Sequence, residues 1–329
     1  MKNKELKLKN RAVMNYRMNR LLAYPSFKAT FIAAIFLCHT VSAQKQETDA
    51  YFSALRNQQP TSGLSFTSKK DDQYIKALTP YLNDSIAELR AEAYAQVSIL
   101  GQKSQQKALR KKVVNLLIAG WHDADWGIHS LVDNALTRFQ PQDFDRTAID
   151  LVKARLKELP GSPGGLFKLI GYLDLRDLVP QIRSYVDELQ PPLSSDDRWA
   201  GYVAMARLGD QAAVDFILNR VRKLGLKSGV VYDLFPDLVY TRTYRAIHYL
   251  EETLFSKEQS CGPLSAEVSE PTPCAYRTME MLAPAIKDYP VAIGSGGIST
   301  IDNYPQTLEK VRAWFKQKNG NYEIIRDTF

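Results

Sequence analysis

Residues Asp196 to Leu224 write a two-helix hairpin in 29 residues, and looser copies of it recur before and after. A helical pair of this length cannot bury its apolar stripe alone, so recurring pairs must stack on one another. Laying residues 90–116 on 198–224 matches Arg90 with Arg198, Tyr94 with Tyr202, Leu100-Gly101 with Leu208-Gly209, Val113 with Val221 and Leu116 with Leu224. The offset is 108 residues, and helix ends near Phe139 and Leu173 divide it into steps of 39, 34 and 35. Within the hairpin Asp197 is expected to cap and Gly209 to turn, with Ala213, Phe216, Ile217, Val221 and Leu224 facing neighbouring pairs.

Helical periodicity runs from Asp71 almost without a break. Asp71 or Asp72 can cap a helix carrying Tyr74, Ala77, Leu78 and Leu82; a second, with Leu89, Ala93, Val97 and Leu100, is expected to end at Gly101. Lys107 to Ala119 follows. Ile128, Leu131, Val132, Ala135, Leu136 and Phe139 then recur at helical spacing, as do Ala148, Leu151, Val152, Leu156 and Leu159 before the break at Pro160 to Gly165. Leu166–Leu173 and Leu178–Leu189 make another pair, Pro180 falling in a first turn. Val230 to Phe255 supplies a last unit. No segment alternates with a period of two, so the chain is expected to be all-α.

The pattern of an Arg, an Ala two or three residues on, a Leu-Gly corner and a second apolar helix resembles HEAT-type repeats. It is carried by Arg90, Ala93 and Leu100-Gly101, and by Arg198, Ala200, Leu208-Gly209-Asp210, Ala213 and Ile217. The resemblance covers about residues 71–255; the units near 166–189 and 230–255 lack the Gly corner. It implies a right-handed α-α superhelix of stacked helix pairs that holds other proteins, with no catalytic residue to carry over.

The whole chain has 43 bases and 36 acids, but eight of those bases and one acid lie in residues 1–43. A basic stretch to Lys28, an apolar run from Ala29 to Cys38 and Val41-Ser42-Ala43 before Gln44 have the order of a secretory signal peptide cleaved between Ala43 and Gln44. Met14 or Met18 would give a more ordinary signal than Met1. The apolar run is too short for a retained span, and Leu37 before Cys38 argues against a lipoprotein. Without this segment the chain carries 35 bases and 35 acids, which removes the electrostatic case for nucleic-acid binding. The expected location is the periplasm or the outside of the cell.

Residues 44–70, rich in Gln, Thr and Ser, read as a flexible linker with a possible short helix at Tyr51, Phe52 and Leu55. Residues 256–329 read as an enlarged, loop-rich C-terminal cap. Cys261 and Cys274, the two cysteines left after export, are expected to form a disulfide rather than stay as buried thiols. A glycine-rich stretch, Gly294-Ser295-Gly296-Gly297, has neither the strand before it nor the helix after it that a phosphate loop needs, and reads as loop.

Trp121-His122-Asp123-Ala124-Asp125-Trp126-Gly127-Ile128-His129 is the one cluster that resembles a site. His122, Asp123, Asp125 and His129 are metal-ligand types, yet Asp125 stands where a helix cap belongs, and capping with a Trp wedge between repeats is the preferred reading. No sequence-local Ser, Cys or Asp pattern marks a partner for His248, which is read as structural. Arg110-Lys111-Lys112 is read as a solvated face. Some of Tyr172, Tyr202, Tyr232, Tyr240 and Tyr244 are expected to line the concave surface, where aromatics suit a protein or a glycan. No cofactor and no catalytic residue is assigned. The expected function is a non-enzymatic scaffold for a protein partner; the alternative is an enzyme or enzyme accessory with a small-molecule or glycan site between the concave face and residues 289–304.

Overall fold

The computed structural model describes residues 43–64, 71–263, 270–292 and 301–329. The expected signal segment up to Ser42 and the glycine-rich stretch from Gly294 to Gly297 lie outside the described residues. Among those described, every regular element is a helix, and the extended pairings are two isolated bridges, Cys261 with Thr272 and Ile286 with Ile324. Among the described residues no helix is long and apolar enough to cross a membrane. The chain divides at Gln105/Gln106 into two compact units, inside the stretch expected to be one repeat array.

The first unit holds α1 (residues 43–56), α2 (Asp71–Leu78), a 3-10 turn Thr79–Asn83 and α3 (Ala87–Lys103). The stretch expected as a linker is therefore a helix over much of its length, and it is packed. Phe52 is buried and stacks on Tyr81 with ring centroids 4.0 Å apart. Carboxylates tie this helix to the rest of the unit: Tyr74 Oη donates to Glu47 at 2.8 Å and Tyr81 Oη to Asp49 at 2.8 Å, while Tyr51 Oη donates out of the helix to Glu92 at 2.6 Å. Burial first, and then the carboxylate each faces, pushes all three phenols up to about 12, so they remain proton donors at neutral pH. The corner expected at Leu100-Gly101 does not form. Both residues are buried inside α3, which runs to Lys103 before the chain turns extended at Ser104. A helix interior tolerates Gly when packing holds it, at some cost in propensity.

The second unit begins with α4 (Lys107–Ala119), α5 (Trp126–Leu136), α6 (Arg146–Glu158), α7 (Gly164–Tyr172), α8 (Val179–Glu188), α9 (Ser195–Arg207) and α10 (Gln211–Leu224). The short helices α11 (Ser228–Asp233) and α12 (Phe235–Tyr240) follow, then α13 (Tyr244–Thr253). Helices α5, α7, α9 and α12 pack one on the next; α4 packs on α6 and α10 on α13, while α9 joins α8 and α10. Side-chain caps start four of these helices, at Asp125 as expected: Asp125 accepts from Gly127 N, Asp145 from Ala148 N, Asp210 from Ala213 N and Thr243 from Ala246 N. The Leu208-Gly209-Asp210 corner is present, with Gly209 at φ +96°.

Three expectations for the hairpin change. Ser194, not Asp197, caps α9. Asp197 instead reaches the preceding pair, accepting from Gly164 N at 2.8 Å and Ser162 Oγ at 3.1 Å as well as from Ser194 Oγ at 2.7 Å. It thereby satisfies the start of α7, whose own N-cap, Pro163, offers no side chain. Phe216 and Leu224 are 40 % and 42 % exposed. The buried stripe of α10 is Ala213, Val214, Ile217, Leu218 and Val221; Phe216 lies to one side of it, stacked on Tyr202 at 3.8 Å, and Leu224 is the last residue of the helix. Close approach of α9 to α7 and α8 depends on glycine: a Cβ at Gly201 in α9 would stand 2.4 Å from Val186 Cγ2 in α8, and one at Gly171 in α7 would meet Ala204 Cα in α9 at 3.2 Å.

Beyond α13, Cys261 and Cys274 are disulfide-bonded, with S–S 2.06 Å and Cα–Cα 4.9 Å. Cys274 opens α14 (Cys274–Leu282), a 3-10 turn Ala283–Ala285 follows, and α15 (Tyr304–Lys318) starts at the cap Asn303. Asn319 at φ 45° and Gly320 at φ 82° reverse the chain, and the tail returns past residues 285–287, Ile325 N donating to Ala285 O.

Asp197→Ala should remove the acceptor shared by α7 and Ser194 and leave buried donors unpaired. The expected loss is about 2 kcal/mol, read as a lower urea midpoint at unchanged slope.

Candidate binding cleft

The cluster around Trp126 stands at the mouth of a cleft of about 730 Å³ in the second unit. Its wall is the polar stripe of α5: Trp126, His129, Ser130, Asp133 and Asn134 fall at i, i+3, i+4, i+7 and i+8, while Ile128, Val132, Ala135 and Leu136 are buried behind them. The end of α6 gives Arg155 and Glu158, the loop that follows gives Leu159 to Ser162, and α7 closes the cleft with Gly165 and Leu166.

Local chemistry places each group. Asp123 Oδ1 accepts from Asp125 N and Asp125 Oδ1 from Gly127 N, both at 2.8 Å, so the acids of the cluster tie the turn into α5. His129 Nε2 lies 2.8 Å from the main-chain oxygen of Asp123, and His122 is exposed. Among the described residues no three His, Cys, Asp or Glu side chains converge to hold a metal ion. The two tryptophans differ sharply. Trp121 is buried and donates Nε1–H to Asp133 Oδ1 at 2.7 Å. Trp126 is 78 % exposed, so of the two tryptophans it is not the expected wedge: it occupies the first position of α5, on the side away from the buried stripe.

Asp133 is the cleft's perturbed acid. Burial raises its carboxyl above the ordinary value, and the Trp121 N–H, Arg155 and His129 pull the other way without cancelling the effect. Arg155 Nη1 is held by Glu158 at 3.1 Å. Ser162 Oγ donates to Asp197, which ties the cleft's loop to α9. Ser162 therefore donates to a carboxylate and His129 faces a main-chain oxygen, and the two do not pair as nucleophile and base. What the cleft offers is a flat indole at its lip, with hydroxyl, amide, imidazole and guanidinium groups around it.

Residues the sequence reading set aside also have definite places. Arg110 belongs to no solvated face: its Nε donates to both oxygens of Asp143 at 3.0 Å, and Asp143 is 1 % exposed. His248 lies on the exposed side of α13, Nδ1 3.2 Å from Glu251, and stacks on Tyr244. Tyr172 and Tyr240 are buried, whereas Tyr232 is 39 % exposed and accepts from Arg277 Nε at 2.8 Å. Asp133, Arg155 and Ser162 were missed. The signal for Asp133 was its place seven residues after Trp126; Arg155 and Ser162 reach the cleft only through tertiary packing.

A raised folded-state value means that the folded chain holds the Asp133 proton more tightly than the unfolded chain does. This group therefore favours the fold at low pH and withdraws that stability as pH climbs through its folded value. Asp133→Asn, which keeps an acceptor for Trp121, should melt higher than the parent at pH 7. The difference should vanish below about pH 3.9, where an unfolded aspartate is itself protonated; thermal melts across this range measure it.

Compared with protein-family models, with curated proteins and with solved structures, the chain matches none.

Proposed function

We propose that the chain is an exported, non-enzymatic helical-repeat protein of HEAT type, acting as a scaffold for a protein partner in the periplasm or at the cell surface. The observation that carries the binding role is Trp126, 78 % exposed beside a cleft of about 730 Å³. An indole held in water on a capped helix leaves a large apolar area uncovered, and tryptophan is the residue most enriched at the energetic centre of interfaces. The repeat reading is supported by the succession α5, α7, α9 and α12, each packed on the next, and by capped helix starts. Export is supported by the order of basic and apolar residues in 1–43 and by the Cys261–Cys274 bond, which fits an oxidising compartment.

A second reading, a glycan or other small polar ligand, rests on the same cleft: the Trp126 ring can stack on a sugar face while His129, Asn134 and Ser162 meet hydroxyls. The alternative site at residues 289–304 falls largely outside the described residues.

Trp126→Ala should leave the melting temperature within about 1 °C, as surface substitutions do. It should weaken capture of a stoichiometric protein from an envelope extract by ~10-fold or more. Equal capture by both forms sinks the reading, and a sugar carried through purification by the parent but not by the variant moves it to the second. Alkylation without reductant should find no free thiol at Cys261 or Cys274 in chain purified from its native compartment; full labelling would remove the argument for export.

A further inference from the structure

Several aromatic rings that reach the surface of the second unit are covered by cations of the same chain. Lys318 stands over Trp314 at 5.4 Å, Arg220 over Trp199 at 5.9 Å and Arg277 over Tyr232 at 5.8 Å. Arg312 and Lys316 lie over Phe255 at 5.7 Å and 5.5 Å. Such a ring presents a negative face that attracts a cation, and the indole attracts it best. Phe216 and Tyr244, also exposed, lie against other rings, those of Tyr202 and His248. Trp126 breaks the pattern. It is 78 % exposed, and among the described residues neither a cation nor a ring covers it.

The stripe of α5 that carries Trp126 also carries an acid without an ion pair. Asp133 follows Trp126 by seven residues, about 10 Å along the helix axis, and both border the cleft. Its Oδ1 is taken by the Trp121 indole at 2.7 Å. Oδ2 has no donor among the described residues and lies beside Gly165, where a Cβ would stand 3.0 Å from it. The acids bordering the cleft are Asp133 and Glu158, against the single permanent cation Arg155. Arg155 is drawn to Glu158 at 3.1 Å, and His129 turns Nε2 to the main-chain oxygen of Asp123. The charge of Asp133 is thus left over. Burial raising its carboxyl is the same imbalance in another form: the ionised group is less well answered in the fold than in water.

An uncovered indole and an unpaired carboxylate on one stripe call for one long cationic side chain. The ring stands at the lip and the acid farther in, so a short group cannot touch both. Arginine suits the pair better than lysine, because its guanidinium is flat, weakly hydrated and stacks on aromatic faces, while its stem can lie along apolar surface.

We propose that the cleft receives an arginine side chain of the protein partner, its stem lying on the Trp126 ring and its guanidinium donating to Asp133 Oδ2. This assignment rests on the reading of the cleft as a partner site and adds what the partner must present there.

The probes are acetyl-arginine amide and acetyl-citrulline amide, which share a shape and differ in charge. Each is titrated into the intact, ¹⁵N-labelled chain while the indole N–H resonances are followed by NMR, those of Trp121 and Trp126 being assigned with Trp121→Phe and Trp126→Ala. The arginine probe should move the Trp121 and Trp126 resonances and leave those of Trp199 and Trp314 in place. It should bind about tenfold more tightly than the citrulline probe, the margin of a charge-assisted over a neutral hydrogen bond. Asp133→Asn, which keeps the acceptor for Trp121, should lower the arginine probe to the affinity of the citrulline probe, and Trp126→Ala should weaken it as well. Equal affinity for the two probes overturns the proposal, as does an Asp133→Asn chain that still prefers arginine, or no movement at the solubility limit of the probe. None of these results touches the scaffold reading, which stands or falls on capture of a protein by the parent and not by Trp126→Ala. Should Asp133→Asn fail to fold, Gly165→Ala serves instead, since it crowds Oδ2 with a methyl group and favours the helix. It should weaken the arginine probe by about fivefold or more, and unchanged affinity overturns the proposal.

Discussion

Two helix starts converge on one buried carboxylate, that of Asp197. The first turn of α7 has no cap of its own, because its N-cap, Pro163, has no side-chain acceptor. Asp197 answers from the next pair, binding Gly164 N and Ser162 Oγ while Ser194 closes α9. A carboxylate taken out of water is tolerated because every bond it makes is to a fixed donor. The consequence reaches the cleft, since Ser162 and Gly165 are among its walls. Position there is set by a residue that a linear reading assigns to a different helix pair.

Much of the helical pattern is visible from spacing alone. The 3.6-residue period marks α4 through α10, the short capping side chains mark most starts, and Gly209 marks its corner because a positive φ there favours glycine. Spacing fails where the partner is remote. Glu47 and Asp49 look like solvated linker residues until tyrosines 27 and 32 positions away are seen to donate to them. Gly101 has the same Leu-Gly context as Gly209, yet nothing local says that one is packed inside a helix and the other bends. Phe216 falls one residue to the side of the stripe that is buried, whereas Leu224 is in phase with it but is the last residue of α10.

The candidate site was half legible. The cluster from Trp121 to His129 drew notice through residue type, and Asp125 was readable as a cap. One tryptophan, Trp121, is buried in the 3-10 turn Gly120–His122 and donates to Asp133, and the other faces water from the side of α5 away from its buried stripe, a difference that composition does not encode. The buried Arg207 was less legible still. Arg207 sits near a helix end, where a cation facing carbonyls is expected, but its acceptors at residues 326 and 328 come from more than a hundred positions away.

The Cys261–Cys274 bond closes its loop across the antiparallel pairing of Cys261 with Thr272. Peptide-bond cleavage anywhere between the two cysteines would leave the pieces joined through sulfur, so the loop can be cut without the molecule coming apart. α14, which packs on α11, α12 and α13, would stay tethered to the same partners after such a nick. Severance of the 256–329 region would need a second cut or a reductant, a form of durability that neither the apolar core nor the helix caps confer.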